Sequence, residues 1–314
     1  MVTMKWQRKD ILSIEDMSVD EIRHILHTAK VMKEILMRPI KKLPTLKGKS
    51  VVNLFYEAST RTRTSFEMAG KVLGADTTSI AVAQSSVSKG ESLYDTAKTI
   101  QAMRADLVII RHSSSGSAKF LADILDAGVI NAGDGQHAHP TQALLDVFTM
   151  EEQLGELDGK KVVIVGDVLH SRVARSNAWC LQKMGVDVTL VGPPTLVPVE
   201  MEGLGVKLTH DLDGALPGAD VVMALRLQLE RQKSGLFPSL REYSHLYGLT
   251  TERLKKTEKQ SIVLHPGPMN RNVEISDDVA DSAQALIERQ VTNGVAIRMA
   301  LIYLLIGGSS NVVA

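Results

Sequence analysis

The stretch Glu57-Ala-Ser-Thr-Arg-Thr-Arg-Thr-Ser-Phe-Glu67 brings hydroxyls and guanidinium groups to the start of a helix. A strand-like run, Val51–Tyr56, leads into it, and helical spacing continues to about Leu73. Ser59 suits the N-cap, where its hydroxyl would hold one orphan N–H. Thr60 and Thr62 add hydroxyls in the first turn. The remaining N–H groups and the positive end of the helix dipole face one point, an anion site best suited to phosphate. Arg61 and Arg63 lie about 200° apart around a helix, so only one reaches that anion easily. Arg61, nearer the terminus, takes this role, and Arg63 is read as structural. An ordinary surface helix start would use the same residue types, and the stretch alone leaves both readings open.

Further along, Asn131-Ala-Gly-Asp-Gly-Gln-His-Ala-His-Pro-Thr-Gln142 begins as a glycine-rich turn and ends as a helix. Pro140 suits the first helical position. His139 then stands at the cap, with Gln142 one turn on along the same face. Both can point at one small ligand, while a bland His139 would cap the backbone and nothing more. His137 reads as a plain loop residue. In the second half, Lys161–Gly166 is a buried strand feeding Asp167–Arg172 and a helix to Met184. It imitates a dinucleotide fold, but Gly166 stands without the rest of the glycine fingerprint, so no NAD site is expected. Ser171 can cap that helix, Arg172 stands at its mouth, and Arg175 either assists or faces solvent. Arg226 and Gln228 share a face in extended chain. In His265-Pro-Gly-Pro268 the prolines fix the backbone and leave carbonyls available.

The elements that position these residues alternate. An amphipathic helix over 18–37 opens on a capping box of Ser18 and Glu21. Strands are expected at 51–56, 77–82, 107–111, 129–131, 161–166, 186–191, 218–225 and 260–264. Helices are expected at 93–103, 117–127, 140–154 and 281–305. The polar stretch 231–258, with a helix near 251–257, reads as a mobile flank. Strands alternating with helices predict parallel sheets wrapped on both faces, with ligands gathering beyond the carboxyl ends of the strands. Glu57–Thr62, Arg111-His112 and Asp134–Gln142 all fall there.

Composition narrows the function. The chain has 314 residues, 44% apolar and 23% charged, which suits two soluble α/β domains. Its formal net charge of zero argues against nucleic acid or an anionic membrane as partner. Cys180 is the only cysteine, so no intrachain disulfide or cysteine metal site is expected, and a small buried thiol is its reading. The N-terminus lacks the apolar core of a signal peptide, and no apolar run is long enough to span a membrane. A cytoplasmic location is expected.

Ser59-Thr-Arg-Thr-Arg63, His139-Pro-Thr-Gln142, Arg226-Leu-Gln228 and His265-Pro-Gly-Pro268 occur in the order and spacing of the carbamoyltransferases. The chain resembles the aspartate branch of that family over nearly its whole length. The ornithine branch typically shows Asp-x-x-x-Ser-Met-Gly and His-Cys-Leu-Pro, where this chain has Leu225-Arg-Leu-Gln-Leu-Glu230 and His-Pro-Gly-Pro. Arginines also fit a substrate with two carboxylates, which guanidinium groups bind bidentately. Gly267 departs from the Pro-Leu-Pro common in the branch, leaving a backbone contact to carry over. Ser88 stands where the family often has a second lysine.

The resemblance implies two doubly wound parallel-sheet domains joined by interdomain helices, with the C-terminal helix packing back on the first. Residues 1–145, completed by 291–314, would bind carbamoyl phosphate, and 146–290 would bind aspartate. The implied reaction is attack of the aspartate α-amine on the carbamoyl carbon, giving N-carbamoyl-L-aspartate for pyrimidine synthesis, without metal or organic cofactor. Ser59, Thr60, Arg61 and Thr62 would bind phosphate. Thr62, Arg111 and His139 would hold the carbamoyl oxygen. Gln142 and the backbone of Pro266, Gly267 and Pro268 would orient the carbamoyl amino group. Lys89, Arg172, Arg226 and Gln228 would bind aspartate as the domains close. Ser85 and Lys89 would reach into a neighbouring subunit, making a homotrimer or higher assembly with shared sites. A regulatory chain or dihydroorotase is left open as a further partner. An ornithine-type transferase and a non-catalytic phosphate-ligand binder are the competing readings.

Overall fold

The computed structural model describes residues 6–81, 90–228 and 239–307. The chain divides into two compact units, Met1–Leu144 with Val291–Ala314, and Leu145–Gln290.

The first unit opens with α1 (Val19–Leu36). Ser18 and Glu21 close the expected capping box, and Ile22, Ile25, Leu26, Ala29 and Met32 form its buried stripe. Burial of each of Ile22, Ile25, Leu26 and Met32 contributes roughly 1.5–3 kcal/mol, so the stripe outweighs the cap, worth about 1 kcal/mol. Then follow β1 (Ser50–Phe55), α2 (Thr60–Leu73), β2 (Asp76–Ala81), α3 (Leu93–Ala102), β3 (Leu107–His112), α4 (Ser117–Ile124), β4 (Gly128–Asp134) and the start of α5 (Pro140–Leu154). The sheet runs β2-β1-β3-β4, with every pair parallel. β1, β3 and β4 are mainly buried, as helices on both faces require, while the edge strand β2, Asp-Thr-Thr-Ser-Ile-Ala, is polar and exposed or half-buried over 76–80. The order reverses between β1 and β3, which makes the carboxyl ends of those strands the expected ligand crevice.

α4 stops at Ile124 rather than Ala127. Leu125 turns extended, and Lys9 Nζ takes the carbonyls of Ala122 and Leu125 at 3.0 and 2.7 Å. That exit releases the chain early enough for β4 to begin at Gly128, longer than the sequence suggests.

The second unit takes the rest of α5, then β5 (Lys161–Val165), α6 (Arg172–Lys183), β6 (Asp187–Val191), a 3₁₀ turn (Val199–Leu204), β7 (Lys207–Thr209), α7 (Leu212–Ala215) and β8 (Val221–Ala224). α8 (Leu240–Tyr247), α9 (Thr251–Lys255), β9 (Ile262–Leu264), α10 (Asp277–Ala280) and α11 (Ile287–Ile306) complete the chain order. The sheet runs β7-β6-β5-β8-β9, again all parallel, and its order reverses between β5 and β8. Cys180 is buried in α6, where burial pushes its thiol pKa far up.

Two expectations fail here. Residues 239–258 are folded, not a mobile flank: Ser239 caps α8, and Tyr243 and Tyr247, one turn apart, bury against the core. The final helix begins at Ile287, not Asp281. Val263 N–H donates to the Gln284 carbonyl at 2.8 Å, and Leu286 N–H to the Val263 carbonyl at 2.9 Å. The chain before α11 is thus spent covering the edge of β9. From Val291 onward α11 belongs to the first unit, where the buried Arg298 guanidinium lies 5.1 Å over the Phe66 ring. α5 and α11 both cross the division between units.

Candidate active site

In the first unit, β1 delivers the Glu57–Ser59 segment to α2. Ser59 occupies the cap position, but its hydroxyl accepts no helix N–H. Its ψ of 84° differs from the 161° and 158° of Ser18 and Ser92, whose side chains do cap their helices. The capping expectation for Ser59 therefore fails: its side chain holds no N–H of the first turn. Thr60 and Arg61 are exposed at the helix start, and Thr62 is buried. Arg63 Nε lies 3.8 Å from Glu67 Oε1 along the same helix, as suits a structural role.

The pairing of β1 with β3 sets Arg111 beside Phe55. Arg111 Nε stands 3.2 Å from Glu57 Oε2, and Nη1 donates to the Ala132 carbonyl at 3.3 Å. His112 packs its ring 4.6 Å from that of Tyr56, and burial holds its pKa below the ordinary value.

His139 is buried at the N-terminus of α5, where its carbonyl accepts from Gln142 N–H at 3.0 Å. Its Nδ1 is 3.4 Å from Thr141 Oγ1, and Gln142 is buried one turn on. The loop before His139 is built around Asp134. That buried carboxylate accepts from Asn131 Nδ2 at 2.8 Å, Gly116 N–H at 2.7 Å and Ala138 N–H at 3.1 Å. Burial pushes its pKa up, but hydrogen bonds from His137, Asn131 and Gly116 outweigh that, and the net shift is downward. His137 is not the plain loop residue expected, since its Nδ1 is 3.2 Å from Asp134 Oδ2. The loop turns back on itself between Asp134 and Ala138, bringing the two together.

In the second unit the chain leaves β5 through Gly166 at φ +138° into Asp167, whose side chain is fully buried. Asp167 Oδ1 accepts His170 N–H at 3.2 Å and stands 2.8 Å from His170 Nδ1. Ser171 caps α6 as expected, accepting Ala174 N–H at 3.1 Å. Arg172 is buried at the first helical position, and half-buried Arg175 has its pKa lowered by burial. Across the switch point, Leu225 and Leu227 are buried and alternate with half-buried Arg226 and Gln228. The latter pair thus shares a face, as extended chain requires. Gln228 Nε2 donates to the His170 carbonyl at 3.3 Å, linking the β8 exit to the β5 exit.

The turn after β9 is held by His265. Its Nδ1 accepts Gly267 N–H at 2.8 Å, so the ring proton sits on Nε2, 3.3 Å from buried Glu274 Oε1. Gly267 has φ +64°, a conformation glycine adopts without strain. Pro266 is half-buried and Pro268 exposed. Ser85 and Lys89 lie outside the described residues.

Sequence reasoning set Glu57 and Asp134 at the carboxyl edge without giving either a role, and it gave none to Asp167 or Glu274. Glu57 and Asp167 were within reach, because each follows a buried strand at a carboxyl edge. Among the described residues, no group of three or more His, Cys, Asp or Glu could hold a metal ion. No helix among them is long and apolar enough to cross a membrane.

Comparison with known proteins agrees with this layout. Residues 9–152 match the family described as aspartate/ornithine carbamoyltransferase, carbamoyl-P binding domain. Residues 158–305 match the aspartate/ornithine carbamoyltransferase, Asp/Orn binding domain. The aspartate carbamoyltransferase catalytic subunit of Desulfitobacterium hafniense (strain DSM 10664 / DCB-2) is 66% identical over 307 residues, covering 98% of each chain. The aspartate transcarbamoylase of Trypanosoma cruzi, solved in complex with carbamoyl phosphate and aspartate, is 30% identical with a TM-score of 0.88, covering 96% of this chain and 98% of that one. An ornithine carbamoyltransferase from Pyrococcus furiosus is 28% identical with a TM-score of 0.86, covering 98% of this chain and 100% of that one. The shared fold thus spans both branches, and the branch is read from sequence identity and side chains. The chain belongs to the aspartate/ornithine carbamoyltransferase family.

Proposed function

We propose that the chain transfers the carbamoyl group of carbamoyl phosphate to the α-amine of L-aspartate, giving N-carbamoyl-L-aspartate and phosphate in de novo pyrimidine (UMP) biosynthesis. The observation that carries this reading is the grouping of Arg172, Arg226 and Gln228 at the switch point of the second sheet. Aspartate differs from ornithine in carrying a second carboxylate, and guanidinium groups are the side chains that bind carboxylates bidentately.

In the first unit, Ser59, Thr60, Arg61 and Thr62 bind the phosphate at the start of α2. Thr62, Arg111 and His139 stabilise the carbamoyl oxygen, and Gln142 orients the carbamoyl amino group. In the second unit, Arg172, Arg226 and Gln228 take aspartate, and the carbonyls around Pro266, Gly267 and Pro268 serve the carbamoyl amino group.

The neutral amine attacks the carbamoyl carbon, and negative charge grows on its oxygen. One well-aimed donor to such an oxygen is worth about 3–4 kcal/mol. The carbon–oxygen bond to phosphate then breaks, and the phosphate leaves with the electron pair. It is also the base that accepts the proton the amine must lose. Arg61 neutralises the charge that builds on it. The leaving group is already activated, so the chemistry calls for no metal or organic cofactor.

The same reading makes the protein a cytoplasmic homotrimer or higher assembly, with Ser85 and Lys89 serving a neighbour's site. The name catalytic subunit carried by the Desulfitobacterium relative supports an assembled enzyme. A regulatory chain or dihydroorotase would be an additional partner. The deciding experiment supplies carbamoyl phosphate with L-aspartate or L-ornithine and measures phosphate and carbamoylated product. Product with aspartate and none with ornithine is expected; the reverse pattern ends the reading. Binding of carbamoyl phosphate without turnover on either amine would leave a ligand-binding protein instead.

A further inference from the structure

Asp146 lies in α5 with its side chain fully buried, and none of the roles assigned above uses it. Its Oδ1 accepts from Gln290 Nε2 at 2.7 Å, and its Oδ2 from Asn177 Nδ2 at 2.9 Å. Gln290 Oε1 accepts in turn from the backbone N–H of His265 at 3.0 Å. Asn177 Nδ2 also donates to the Val173 carbonyl at 3.1 Å, one residue beyond Arg172. One carboxylate in the second unit thus grips both the start of the 265–268 turn and the helix that opens with Arg172.

The orientation of both amides follows from their partners. Gln290 faces a donor on one side and an acceptor on the other, so its amide has one consistent setting. Asn177 turns its NH₂ toward two oxygens, and its Oδ1 has no hydrogen-bond partner. A buried carboxylate is costly unless its oxygens are satisfied, and an apolar side chain would fill the same space without that demand. An asparagine at 146 would offer a single oxygen and turn its own NH₂ toward one of the two donors.

We propose that Asp146 is a positioning residue, setting the 265–268 turn and the first turn of α6 relative to each other. It thereby aligns the carbonyls assigned to the carbamoyl amino group with the Arg172 guanidinium assigned to aspartate. The proposal rests on the function argued above and adds to it a residue that touches no substrate.

The test compares three variants of the full chain, Asp146→Asn, Gln290→Met and Asn177→Leu. Each is measured for kcat and for KM with carbamoyl phosphate and L-aspartate, alongside thermal unfolding. Displacements near 1 Å can cost up to about 100-fold, so shifts of about tenfold are expected. Gln290→Met raises KM for carbamoyl phosphate alone, Asn177→Leu raises KM for aspartate alone, and Asp146→Asn raises both. A purely structural role predicts lowered thermal midpoints with both KM values at wild-type level, and that result overturns the proposal. If Asp146→Asn fails to fold, the split between the other two variants decides. A wild-type chain that forms no carbamoyl-aspartate removes the functional reading, and the proposal falls with it. Wild-type turnover with unmoved KM values in all three variants removes the proposal alone.

Discussion

Glu57 Oε2 stands 3.2 Å from Arg111 Nε, tying the residues after β1 to the carboxyl end of β3. The pair restrains the guanidinium assigned to the carbamoyl oxygen. Glu57→Ala is expected to lower kcat/KM for carbamoyl phosphate by about 10- to 100-fold, since orientation is what it removes. A partly exposed pair contributes about 0–1 kcal/mol, so the thermal midpoint should hardly move. Steady-state kinetics beside a melting curve check both halves, and unchanged kinetics would leave Glu57 without a role in orienting Arg111.

Arg61 is exposed at the start of α2, where truncation leaves no buried gap. Arg61→Ala should reduce turnover by about 100- to 1000-fold, the cost of losing a donor at developing charge, with an unaltered far-UV spectrum. Mixing Arg61→Ala chains with Lys89→Ala chains then tests whether sites are shared. Subunit exchange should restore part of the activity, because some sites would draw an intact residue from each parent. Proven exchange without recovery argues for sites built from one chain.

Asp134 makes acid stability measurable at one residue. Its folded pKa is lowered below the ordinary carboxylate value of about 3.9 by hydrogen bonds that outweigh its burial. The unfolded chain therefore takes up this proton first as pH falls. The stabilisation is fully present above about pH 4 and is lost as pH drops through the lowered folded value. Thermal midpoints of wild type and Asp134→Asn, followed from neutral pH downward, should differ most at neutrality and converge in acid. Parallel curves would assign the acid sensitivity to other groups.

Gly166 lies at the β5 exit, close against Leu225. A Cβ there would meet Leu225 Cβ at 2.9 Å and the Leu225 carbonyl at 3.0 Å, and φ is +138°. Overpacking and backbone strain each cost about 1–3 kcal/mol, so Gly166→Ala should unfold at visibly lower denaturant. Leu225 adjoins Arg226, so KM for aspartate is expected to rise in the fraction that folds. A variant with wild-type stability and kinetics would show that this approach can relax.

Much of the fold was readable because its signals are local. The α1 capping box and the apolar runs of β3 and β5 need no tertiary partner to be recognised, and alternation with helices dictates parallel pairing. That pairing then carries Arg111, His139, Arg172 and Arg226 to the carboxyl edges of their sheets. What escaped depends on distant chain. Tyr243 and Tyr247 sit in a polar stretch, and only a finished core gives two tyrosines reason to order it. The segment before α11 pairs with β9, the strand expected at 260–264, and nothing in the segment's own sequence announces that pairing. Ser59 has the right residue type for a cap, but residue type alone does not make the hydrogen bond, and its side chain holds no helix N–H. His137 meets Asp134 because a loop doubles back, which spacing alone does not specify.

Val291 onward belongs to the first unit, with Arg298 resting on Phe66. On the ribosome, Phe66 therefore emerges long before its cation exists, and the whole of the second unit is translated in between. The lobe begun earliest is completed last, so the nascent chain must shelter an open apolar face until the final helix arrives.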